Sequence, residues 1–140
     1  MTVYADTSLF VSVYLDDRHS HEARRRVLTS PVWFTPFHLA EWAHAVSQHV
    51  FQGEMSPSES VRINRQLESD RSAQVWVEVE LPANVFELCA DLARRYGPKL
   101  GVRTLDSLHV ACALELKAER FWTFDERQLK LAKAVGLKST

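Results

Sequence analysis

The 140-residue chain has two cysteines, Cys89 and Cys112, and no Cys-x-x-Cys pair. That excludes a zinc grip or a dithiol exchange built on paired thiols, as well as a framework held by several disulfides. Both cysteines fall at apolar positions of expected helices and read as packed thiols. Long apolar runs are missing too, and a helix that spans a bilayer needs roughly 20 such residues. The opening MTVYADTSLFVSVYLDD has no basic flank and acquires an acid at position 6, unlike a secretory signal. No membrane association and a cytoplasmic location are therefore expected. Charge of one sign is also lacking: 17 Lys and Arg stand against 18 Asp and Glu, so the global charge gives no evidence for nucleic-acid binding, although a local site could still bind it. There is no low-complexity tract and no internal repeat. With 46% hydrophobic residues, disorder is not expected, and residues 1–140 are the size of one domain around one core.

What is there is an alternation of β-prone and helix-prone segments. TVYAD alternates and stops at Asp6, which predicts a short strand with an acid at its exit. HEARRRVL reads as the later part of a first helix and VWF as a second strand running to Thr35 and Pro36. That pair suits a helix entrance, since Thr can cap free amides and Pro is tolerated in the first turn. The helix that follows sets Leu39, Ala43, Val46 and Val50 on an inward stripe and Glu41 on the opposite face. SPSE, from Ser56 to Glu59, fits a capping box that opens a polar helix to about Asp70. VWVEVEL sets Val75, Val77, Val79 and Leu81 against Trp76, Glu78 and Glu80, the pattern of a half-covered strand. Pro82 is expected to open a helix with Val85, Cys89, Leu92 and Tyr96 on one stripe, ended by Gly97-Pro98. TLDSLHVACALE predicts another helix, RFWTFD a strand ending on Asp125, and ERQLKLAKAVG a closing helix stopped by Gly136. Strands alternating with helices imply the α/β class, with a mostly parallel central sheet and helices on both faces.

The acids give this frame a chemistry. Asp106 stands near the front of a helix that is otherwise fit for a core, where a carboxylate is costly unless it is paired or bound to a metal. Ligands of open parallel sheets bind beyond the carboxyl ends of the strands, where Asp6 and Asp125 are expected. Helix starts lie along the same edge, which lets Asp106 and Glu41 reach it. Two carboxylates 4 Å apart in a partly shielded site repel by about 4 kcal/mol, so four that meet must hold a proton or a divalent cation. Oxygen-only ligands suit Mg2+ or Mn2+, which commonly work with substrate phosphates. The chemistry such a cluster serves best is metal-assisted phosphodiester hydrolysis.

YADTSLFVSVYLDDRHSHEA, TPFHLAEWAHAV, RTLDSLHVACALE and FWTFDERQLKLAKAVGL, in that order and at domain-scale spacing, resemble the four acid motifs of the PIN-domain family. The likeness is greatest to VapC-type toxins of toxin–antitoxin pairs. It implies a three-layer α/β/α sandwich with four to five strands, and it places the catalytic and metal-binding acids at Asp6, Glu41, Asp106 and Asp125. It further implies a Mg2+- or Mn2+-dependent endoribonuclease that cuts RNA to inhibit translation, works as a homodimer and is neutralised by a cognate antitoxin protein. Ser8 and Thr123 match hydroxyl positions that help shape the metal site in relatives. The chain departs from the pattern after Leu137, where only KST remains for a last strand.

Other readings stand beside this one. Arg24, Arg25 and Arg26 read as a solvated helix face, whereas Arg103, three residues before Asp106, is a candidate phosphate contact. His109 is expected to pack beside the acidic site or to bond to it. The four tryptophans, at 33, 42, 76 and 122, read as core or dimer surface rather than base-stacking platforms. A PIN-like module that binds RNA or protein without cutting is the main alternative. A more distant one is a helical di-iron carboxylate protein, since Glu41 and Asp106 each precede a histidine by three, at His44 and His109.

Overall fold

The structure is a computed structural model that describes residues 1–139. Strand β1 (Val3–Ala5) leads into helices α1 (Thr7–Tyr14) and α2 (Ser20–Val27). Then come β2 (Trp33–Phe34), α3 (Pro36–Phe51) and α4 (Pro57–Ser72), followed by β3 (Val77–Glu78), α5 (Val85–Leu100), α6 (Thr104–Glu115), β4 (Arg120–Trp122) and α7 (Glu126–Ala134). β1 pairs in parallel with β4, with Tyr4 opposite Phe121, and β2 pairs in parallel with β3. A parallel bridge from Val3 to Val32 joins the two pairs into the order β3-β2-β1-β4. Every strand therefore delivers its carboxyl end to the same edge.

Side chains alternate across this sheet as the period of two demands. Val3, Ala5, Val32, Phe34 and Trp122 enter one core with residues of α1 to α4, while Tyr4 and Phe121 enter a second with residues of α5 to α7. The result is the expected three-layer sandwich, with four strands among the described residues. Both cysteines are buried and free, and burial pushes the Cys112 thiol up to about 11, so neither is an activated nucleophile.

Several local expectations are corrected. HEARRRV falls in a separate second helix with Leu28 as its C-cap, because the chain breaks after Tyr14 and Ser20 restarts it with its hydroxyl on the Leu15 carbonyl at 2.7 Å. On α3, Leu39, Val46 and Val50 pack inward as expected, joined by the buried His38 and Trp42, while Ala43 faces solvent. Trp42 can be buried because its indole N–H donates to Asn64 Oδ1 at 2.8 Å, and His38 because both its ring nitrogens are bonded. The VWVEVEL strand is shortened to Val77–Glu78 and the first half of the segment is reversed: Trp76 is 3% exposed, while Val75 and Val77 are 51% and 38% exposed; Glu78 and Glu80 face outward as expected. One tryptophan buries more area than either valine, and its ring meets Phe10 edge-on at 4.8 Å while its N–H donates to Tyr14 at 2.9 Å.

The helix expected from Pro82 begins at Val85 and runs through Gly97-Pro98 to Leu100. Pro98 forfeits one helical hydrogen bond, yet Tyr96 and Leu100 pack on the second core, and Gly101 supplies the left-handed cap at φ +65. Ser56 caps α4 by accepting from the Glu59 N–H at 3.1 Å. The KST end reaches Thr140, which lies outside the described residues; before it, the Phe121 N–H donates to the Lys138 carbonyl at 2.8 Å, with no strand assigned there.

Candidate active site

The sheet edge and the starts of α1, α3, α6 and α7 position the four acids. Asp6 follows β1 directly and is fixed by its backbone N–H, which donates to the Trp122 carbonyl of β4 at 3.1 Å. Its carboxylate is buried and accepts from two hydroxyls, Ser8 at 2.6 Å and Thr123 at 3.0 Å. Burial pushes its carboxyl above the usual range, against the opposing pull of the His109 ring and of those hydroxyls. Thr123 in turn accepts from the Asp125 N–H at 3.0 Å, so one hydroxyl ties the first acid to the last. Asp125 is separated from β4 by Thr123 and Phe124, and it caps α7 by accepting from the Gln128 N–H at 2.9 Å. The Gln128 side chain reaches the Asp106 carbonyl at 3.2 Å and joins the starts of α6 and α7.

Asp106 is less satisfied. Its Oδ2 is buried and has no hydrogen-bond partner; the Arg103 Nε stands 3.8 Å away, at ion-pair range, on a side chain that is 77% exposed. A buried carboxylate oxygen without a donor is costly, and such an atom is what a cation would satisfy. Asp106, Arg103 and Glu41 line a common open cleft of about 410 Å3, which makes Asp106 and Glu41 neighbours across it.

Glu41 is held from within the protein. Its Oε1 accepts from the Thr7 hydroxyl at 2.6 Å and from His109 Nε2. Burial raises its carboxyl, but the His109 and Thr7 hydrogen bonds outweigh that and hold it below its ordinary value. His109 is itself buried, and its Nδ1 meets the Tyr4 hydroxyl at 2.7 Å. The sequence reading missed Tyr4, Thr7 and Gln128. Thr7 had a signal, a hydroxyl beside the first acid; Tyr4 had none, since its partner lies 105 residues away.

The donor set suits a hard cation: all four acids offer oxygen, one is buried at an energetic cost, and one carries an orphaned oxygen. Among the described residues, no three His, Cys, Asp or Glu side chains are gathered as a ready-made cage. Mg2+ commonly keeps several waters and takes one or two carboxylates plus substrate phosphates, so the residues fit that ion. They do not fit the helical di-iron alternative, because Glu41 bonds His109 from the other motif, His44 is exposed, and the acids stand at the edge of a parallel sheet.

No curated protein matches the sequence. Among solved structures, the VapC20 toxin of Mycobacterium tuberculosis, described as cleaving the sarcin–ricin loop, is 16% identical over 96% of this chain and 95% of its own, with a TM-score of 0.69. The VapBC2 structure from Rickettsia felis, bound to a promoter DNA fragment, is 15% identical over 100% and 98%, with a TM-score of 0.69. The FitAcB structure from Neisseria gonorrhoeae is 13% identical over 98% and 95%, with a TM-score of 0.67. These likenesses show a common fold. Residues 3–134 match the description PIN domain, nearly the whole length, and the chain belongs to the PIN domain family.

Proposed function

We propose that this protein is a divalent-metal-dependent endoribonuclease, the toxin of a toxin–antitoxin pair, that hydrolyses RNA phosphodiester bonds in the cytoplasm to inhibit translation. The observation that carries the proposal is the orphaned Asp106 Oδ2 in a cleft shared with Glu41, at the sheet edge where Asp6 is buried at an energetic cost. Family membership supports the nuclease class, and the VapC and Fit structures support a toxin whose partner is an antitoxin protein. A homodimer is part of the same proposal.

Asp6, Glu41, Asp106 and Asp125 would hold Mg2+, or Mn2+ in its place. When bound, such an ion makes water a stronger nucleophile and offsets charge on the phosphate oxygens. The remaining work belongs to the side chains. Ser8 and Thr123 orient the Asp6 carboxylate, Thr7 and His109 orient Glu41, and Gln128 locks α7 to α6. Arg103, exposed at the rim of the cleft, meets the substrate phosphate.

Attack by water leaves the ribose 2′-hydroxyl intact, so the products carry 5′-phosphate and 3′-hydroxyl ends. The test is cleavage of RNA by the purified protein with Mg2+ or Mn2+, its arrest by a chelator, and sequencing of the ends. Cyclic 2′,3′-phosphate ends, or cutting that persists in chelator, refute the mechanism. RNA or protein binding with no cutting under any metal establishes the non-cleaving module instead.

A further inference from the structure

Glu41 reaches its carboxylate out from α3, yet it is held from two helices far away in sequence, α1 through Thr7 and α6 through His109. Both of its hydrogen bonds fall on the same oxygen: the Thr7 hydroxyl and His109 Nε2 each meet Oε1, which leaves Oε2 for the cleft. A histidine with a free second nitrogen could rotate or exchange tautomers. Here the second nitrogen is occupied, because the Tyr4 hydroxyl stands 2.7 Å from Nδ1, and Tyr4 is wedged in the central strand with its ring stacked 5.9 Å from Phe121. When Tyr4 donates to Nδ1, the ring proton must sit on Nε2, which is the proton that Glu41 Oε1 accepts. The Phe37 ring lies against His109 at 4.3 Å and 27° and closes off its face. The buried Tyr4 and His109, with the half-buried Phe37 against them, thus form a brace whose end is one carboxylate oxygen.

We propose that Tyr4 is a positioning residue: acting through His109, it fixes the tautomer and orientation that hold Glu41 Oε1 and turn Oε2 toward a divalent cation in the cleft. This rests on the metal-dependent reading above and adds to it a residue that touches neither the cleft nor any acid. Outer hydrogen-bond partners of this kind typically set metal affinity by about 10- to 100-fold.

The test is Mn2+ binding to the RNA-free protein, followed by electron paramagnetic resonance, with urea unfolding measured in parallel. Tyr4→Phe keeps the ring and its stacking and removes only the hydroxyl; the expected result is a loss of Mn2+ affinity on the order of 10-fold. In a Glu41→Gln background the same substitution should change Mn2+ affinity by less than about twofold, because the brace then has nothing to aim. His109→Gln, whose amide can still donate to residue 41, should retain more affinity than His109→Leu. Equal affinity for wild type and Tyr4→Phe overturns the inference while leaving the metal site standing, and so does an equal loss in both backgrounds, which would make Tyr4 merely structural. If Tyr4→Phe does not fold, the comparison of His109→Gln with His109→Leu decides, and equal affinities of those two overturn the brace. Wild-type protein that binds no Mn2+ overturns the nuclease reading and the brace with it.

Discussion

His38 offers a measurable consequence of burying an imidazole with both nitrogens committed. Nδ1 accepts from the Thr35 N–H at 3.0 Å, and Nε2–H donates to the Ala5 carbonyl at 2.7 Å. Protonating the ring would set two N–H donors against each other, in a site with no exposure. Burial, followed by the neighbouring His109, accordingly holds the ring's pKa down at about 3. An unfolded histidine titrates at about 6.5, so between these values the unfolded state binds a proton that the folded state refuses, and stability falls as pH falls. From pH 7 to pH 5 this group alone removes about 2 kcal/mol. The assay is urea unfolding at pH 7, 6 and 5, followed by the fluorescence of the buried tryptophans, on wild type and His38→Gln. Other groups titrate in both proteins and largely cancel, so the wild-type midpoint should fall by roughly 1 M more than that of the variant. Parallel curves for the two proteins would refute the reasoning, because they would mean that His38 gains its proton in the folded state as readily as in the unfolded one.

Asp6→Asn should abolish RNA cleavage while leaving the urea midpoint at pH 7 unchanged or higher. A carboxyl whose pKa is raised by folding costs stability once ionised, and the amide has no charge to bury; a clear fall in the midpoint would contradict this. Thr123→Val removes the donor to Asp6 and the acceptor of the Asp125 N–H, at about 1 to 3 kcal/mol, and should lower cleavage at least about tenfold, with Thr123→Ser restoring both, as urea unfolding and cleavage assays will show. Gly101→Ala meets no atom within 4 Å, so its cost is backbone strain alone at φ +65, about 1 kcal/mol by urea unfolding; an unchanged midpoint would show that the left-handed cap is dispensable.

The sequence made the frame legible where periodicity and capping act locally. TVYAD, the Thr35-Pro36 entrance and the TLDSLHVACALE helix all stand close to where they were expected, because each is decided by its own few residues. It misled where a single large or polar side chain outweighs the pattern. Trp76 reversed the first half of the VWVEVEL segment, and His38 and Trp42 widened the inward face of α3 beyond Leu39, Val46 and Val50 while Ala43 was left in solvent. Gly97-Pro98 looked like a stop because its cost is local, whereas the packing of Tyr96 and Leu100 that overrides it depends on distant residues. In the candidate site the acids were legible as types at strand exits and helix starts. Their partners were not: the bonds from Thr7 to Glu41 and from Gln128 to Asp106 exist only once the chain has closed on itself.

The three residues of β1 serve two masters, with Val3 and Ala5 in one core and Tyr4 in the other. Neither layer of helices can peel away without disturbing a strand that the opposite layer also grips. Amide protons of Val3, Tyr4 and Ala5 should therefore exchange with deuterium only when the whole molecule opens, at rates that track the global free energy. Asp6 is anchored to the last of them, so its place is lost only when everything else is.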